Sequence, residues 1–105
     1  MDMTSNLEAL IASGKDSAMV RLALASRYWE AGDLERALPH AEAAVEKDPE
    51  YSAAWKLLGK ILGAAGREGE AIAAYRRGIE VAERRGDRQA AKEMQVFLKR
   101  LTPRA

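Results

Sequence analysis

The chain has 105 residues, of which 48% are hydrophobic and 31% charged, with no cysteine and a formal net charge of +1. That length suits one globular domain with one core, and the balance of apolar and charged residues excludes a disordered chain. Disulfides and thiolate metal sites are excluded, and no apolar run approaches the roughly 18 residues of a membrane span.

The opening "MDMTSNLEALIASGKD" has no basic stretch ahead of its apolar residues, unlike a secretory signal. A cytoplasmic location is the default expectation. Ser5 and Glu8 have the spacing of a capping box, and Leu7, Leu10 and Ile11 share one face, predicting a helix over 4–13 that closes near Gly14. A second helix is expected over 17–31, stopped at Gly32, where a left-handed cap is needed. Asp33 then caps a third helix over 34–47, with Glu35 in its first turn. The fourth, over 53–65, stops at Gly66, and the fifth runs over 68–85. After Gly86, Asp87 caps a last helix over 88–101, with Ala91, Met94, Leu98 and Leu101 on one stripe and Phe97 beside it.

Shifting the chain by 34 residues superimposes Leu24 on Leu58, Ala25 on Gly59, Gly32 on Gly66, Ala37 on Ala71 and Ala44 on Gly78. Ile11 also falls on Val45, which carries the period into the first helix. Small residues meet small ones and large meet large. Two antiparallel helices approach closely only where one side chain is small, so Ala25, Gly59, Ala37, Ala71, Ala44 and Gly78 are expected contact points. Tyr28, Trp55, Leu58 and Tyr75 fill the space beside them. Glycine inside a helix costs about 1 kcal/mol against alanine, so Gly59 and Gly78 imply that closeness outweighs propensity.

This pattern resembles the tetratricopeptide repeat, whose Trp-x2-Leu-Gly-x2-Tyr element reads here as Trp55, Leu58, Gly59 and Leu62 and whose Ala-x3-Phe reads as Ala71 and Tyr75. In the first copy those places hold Arg21, Leu24, Ala25, Tyr28, Ala37 and Ala41; the closing proline is Pro49, replaced by Glu83 in the second. The resemblance implies an all-α fold, a right-handed α-solenoid of antiparallel helix pairs. Within a single domain of residues 1–105, repeats at 18–51 and 52–85 lie between the N-terminal helix at 4–13 and a capping helix at 87–101.

His40 is the only histidine and has no companion ligand or nucleophile, so no catalytic, metal or cofactor site is expected. No glycine-rich loop follows a strand. The resemblance instead implies a concave groove for a protein or peptide partner, lined by Met19, Leu22, Ser26 and Trp29 from the first copy and Lys56 and Lys60 from the second. Lys92 and Lys99 are expected to extend its basic end. A groove apolar at one end and basic at the other suits a segment with a large apolar side chain and an acidic stretch or C-terminal carboxylate. Leu22, Ser26 and Leu57 stand where the family's clamp for chaperone tails needs Lys and Asn, which disfavours that ligand.

Residues 1–51 hold ten acids and five bases, residues 52–105 six acids and twelve bases. Self-association through the groove or a repeat end, as a homo-oligomer, is the alternative reading. Nucleic-acid binding by the basic half is disfavoured, because few aromatics are interleaved with its bases.

Overall fold

The alternation of small and large residues at helical spacing produces helices and nothing else. In the computed structural model, which describes residues 2–102, six helices follow in order and there is no strand among the described residues. They are α1 (Met3–Ala12), α2 (Ala18–Glu30), α3 (Leu34–Lys47), α4 (Ser52–Ala64), α5 (Glu68–Arg84) and α6 (Arg88–Leu101). Every helix end falls within two residues of its expected place.

Capping explains most of these boundaries. Asp33 and Asp87 accept from the backbone N–H of Arg36 and Ala90 at 3.1 and 3.2 Å. Gly32 and Gly66 end α2 and α4 at φ +77° and +79°, where an L side chain would be strained. At α1 the capping box is not formed. Asp2 is the cap, accepting from Ser5 N at 2.8 Å, so the helix begins at Met3 and Ser5 lies inside it. Glu8 turns instead toward α2, where it accepts from the Tyr28 hydroxyl at 2.8 Å.

α2 packs on α3 and α4 on α5, while α3·α4 and α5·α6 join the successive pairs, giving an all-α repeat 48 Å long. The small residues occupy the contacts assigned to them. Ala25, Ala37, Ala41, Ala44 and Ala71 are wholly buried. A Cβ on Gly59 would collide with the Tyr75 ring, and one on Gly78 would lie 2.7 Å from Trp55 Cβ. Met94 from α6 fills the space over Gly78 with no exposure of its own. Trp55 is fixed by donation from Nε1 to the Pro49 carbonyl at 2.8 Å.

In the first copy Arg21 takes the place of Trp55, and a polar assembly replaces an aromatic anchor. Its guanidinium makes two 2.7 Å hydrogen bonds to Asp16, which lies 3.6 Å from Lys47. Arg21 also donates to His40 Nδ1 at 3.1 Å.

Candidate functional site

α2, α4 and α6 stand side by side, with contacts from α2 to α4 and from α4 to α6, and their exposed stripes form one concave wall. Leu22, Ser26 and Trp29 lie on α2 at intervals of one helical turn, and Lys56 and Lys60 face them from α4. These five residues line a cleft of about 350 Å³, floored by buried Leu57. Met19 sits on the same stripe one turn earlier, but it lies beyond the cleft and is 72% exposed. Trp29 is half-buried and forms the partition with a second notch of about 340 Å³, walled by Tyr75, Phe97 and Leu101.

The charge at this wall differs from the expected basic end. Lys56 Nζ lies 2.7 Å from Glu93 of α6, which also accepts from Gln89 at 3.2 Å. Those two donors, Lys56 first, hold the Glu93 carboxyl below the ordinary range. Lys56 is thus a neutralised structural cation joining α4 to α6. Lys60 lies 5.3 Å from the centroid of the Phe97 ring and Arg100 5.8 Å from it. Among the described residues neither has a carboxylate within ion-pair distance. The free positive charge is therefore at Lys60 and Arg100, around an aromatic face.

Lys92 and Lys99 do not extend the groove. They flank Val96 on a different face of α6. The N-cap moves 34 positions from Ser17 to Tyr51 but 36 from Tyr51 to Asp87, so Lys92 takes on α6 the place of Lys56 on α4, on the side turned away from α4. With this offset Glu93, Phe97 and Arg100 are the α6 residues that meet Lys56, Lys60 and the notch beside Trp29. Nothing in the 34-residue pattern singles them out, although the spacing of Glu93, Phe97 and Arg100 on one helix face was readable.

A larger hollow of about 880 Å³ opens beside α1, bordered by Glu8, Tyr28, Arg36 and His40. Its polar groups already serve one another. His40 stacks on Tyr28 with centroids 5.7 Å apart and planes 8° from parallel. Burial pushes the His40 pKa below 6.5, although Glu8, 3.9 Å from Nε2, pulls the other way. Tyr28 is bonded to Glu8 and Arg36 lies 3.8 Å from Asp33, so the hollow joins three helices and most of its charged groups are engaged, Glu35 excepted. The concave wall is the better candidate because its apolar surface is open and Lys60 and Arg100, though they lie over the Phe97 ring, have no ion-pair partner among the described residues; Glu30 is the one acid lining the cleft.

The tetratricopeptide repeat family model matches residues 22–91. A TPR repeat-containing protein of Pseudomonas aeruginosa is 48% identical over 99 residues, covering 94% of both chains. The solution structure of a Bordetella parapertussis protein, 44% identical, superimposes with a TM-score of 0.81 over 96% of this chain and 88% of that one. The crystal structure of a tetratricopeptide repeat domain protein from Salinibacter ruber, 32% identical, gives a TM-score of 0.77 over 82% of this chain and 96% of that one. With its helix pairs, its small-residue contacts and these likenesses, the chain belongs to the tetratricopeptide repeat family.

Proposed function

We propose that the protein is a non-enzymatic cytoplasmic adaptor that holds a peptide segment or helix of a partner protein against its concave wall. Tetratricopeptide repeat proteins in general mediate protein–protein interactions. The observation that carries the reading is Trp29, a large half-buried indole between two adjoining clefts, with Leu22 on one side and Phe97 on the other. A segment with a bulky apolar side chain buries against Trp29, and a carboxylate beside it, from an acidic residue or a C-terminus, meets Lys60 and Arg100. Most of the affinity comes from the apolar part, at about 25 cal/mol per Å², and the exposed cations set orientation and on-rate. Met19 stays at the margin, reached only by a longer segment.

Nucleic acid is the less favoured ligand. Lys56, Arg67 and Arg84 in the basic half are paired with Glu93, Glu70 and Glu50, which leaves fewer cations for phosphates. The test is capture of partners by wild type, Trp29→Ala and Arg76→Ala, the last on the exposed outer face of α5. Loss of the same partner with Trp29→Ala alone supports the wall; loss with Arg76→Ala alone moves the site to the convex side.

A further inference from the structure

A first helix of this repeat normally lies between two second helices. α4 does so, between α3 and α5, and α2 packs on both α1 and α3. The ends break the rule in opposite senses. α6 is a first helix packed on α5 and α4, with no described helix on its far side; α1 is a second helix packed only on α2. What one end lacks, the other end of the molecule presents.

The exposed large apolar residues fall on these two ends. Among the described residues they are Met3 (54% exposed), Met19 (72%) and Val96 (50%). The 34-residue period places Met3 at the position of Ala37 and Ala71, both wholly buried. It places Met19 at the position of Ala53, which lines the cleft between two first helices. Met3 and Met19 therefore mark an exposed seat that a first helix would fit. Val96, 36 positions after Lys60, lies on the stripe by which a first helix faces the next one.

Charge favours the same pairing. Arg88, Lys92 and Lys99 surround Val96 on exposed positions of α6. α1 and its cap carry Asp2 and Glu8 and no base, although Glu8 also accepts from Tyr28 and Arg27 of α2 acts on Asp2. The ten acids and five bases of residues 1–51 and the six acids and twelve bases of residues 52–105 extend this opposition along the molecule.

We infer that the protein associates head to tail, with α6 of one copy seated against α1 and α2 of the next; its partner at this surface is a second copy of itself. The contact is heterologous, so each added copy leaves the same two ends open. Gln95 stands at the small-residue place held by Gly59. It keeps the incoming helix at a distance, so the association is reversible and grows with concentration. The interface is separate from the cleft around Trp29.

The test uses two double variants with helical content checked by circular dichroism. Lys92→Glu with Val96→Glu blocks the α6 end, and Met3→Glu with Met19→Glu blocks the α1 end. In sedimentation velocity the wild type should gain mass past the dimer as concentration rises, while each variant stays a monomer. An equimolar mixture should form a dimer and nothing larger, because one intact α6 end meets one intact α1 end. A wild type that stays monomeric into the millimolar range, a variant that still associates, or a mixture that fails to combine overturns the inference.

Discussion

Replacing Gly78 by alanine sets helix propensity against helix approach. Alanine in mid-helix is favoured over glycine by about 1 kcal/mol, so an uncrowded site would be stabilised. At Gly78 the added Cβ would lie 2.7 Å from Trp55 Cβ and 2.5 Å from Met94 Sδ. The thioether can turn aside, but Trp55 Cβ is fixed to the backbone of α4. α4 and α5 must therefore move apart by about 0.7 Å to restore ordinary contact, in an interior packed as tightly as a crystal. Overpacking of this kind costs about 1–3 kcal/mol. After subtracting the propensity gain, Gly78→Ala should lower stability by up to about 2 kcal/mol, or the melting temperature by roughly 4–8 °C per kcal/mol. Gly69→Ala is the control: it lies in the first turn of the same helix with nothing within 4 Å of the new Cβ, and should stabilise by up to about 1 kcal/mol, the full interior value being an upper bound there. Urea denaturation followed by circular dichroism reads both. If Gly78→Ala is as stabilising as Gly69→Ala, the spacing of α4 and α5 is not set by that glycine and the packing account is wrong.

Ala25→Leu and Ala71→Leu introduce larger side chains at wholly buried positions and should each cost about 1–3 kcal/mol or more; neutrality of both in the same titration contradicts the helix contacts. Lys56→Glu puts a second carboxylate beside Glu93, and should lower the melting temperature and raise the Glu93 pKa, read by carbon-detected NMR; an unchanged Glu93 pKa means that the pair is not populated in solution. For His40, burial lowers the folded pKa, so between 6.5 and that lower value the unfolded chain binds a proton that the folded one does not. Stability contributed by neutral His40 is then present above about pH 6.5 and lost as pH falls through the folded pKa. Asp16, held at about 2 chiefly by its hydrogen bonds from Arg21, adds a separate loss as pH falls from 3.8 toward 2. An NMR titration placing His40 above 6.5 would mean that Glu8 outweighs burial.

The fold was legible because the repeat fixes sizes at fixed intervals, and sizes are what helix packing reads. Gly59, Gly78 and the alanines identified their own contacts. The site was legible where it depends on one helix: Leu22, Ser26 and Trp29 share a face of α2 by spacing alone. It was obscured where it depends on two. The link from Lys56 to Glu93 needs the 36-residue offset of α6, and that offset comes from α5, which runs 17 residues where α3 runs 14. The substitution of Arg21 for a tryptophan was visible, but its recruitment of Asp16 and His40 depends on side chains from a loop and another helix.

Chemical-shift mapping tests the concave wall most directly. Isotope-labelled protein is titrated with the partner segment isolated by the wild-type and Trp29→Ala comparison. Shifts should concentrate at Leu22, Ser26, Lys60, Phe97 and the Trp29 indole N–H. Trp29→Ala should weaken binding at least about tenfold, since loss of roughly 60 Å² of contact at 25 cal/mol per Å² is about 1.5 kcal/mol. Shifts confined to the outer surfaces of α3 and α5, around Glu42 and Arg76, with Trp29→Ala binding as well as wild type, would contradict the assignment.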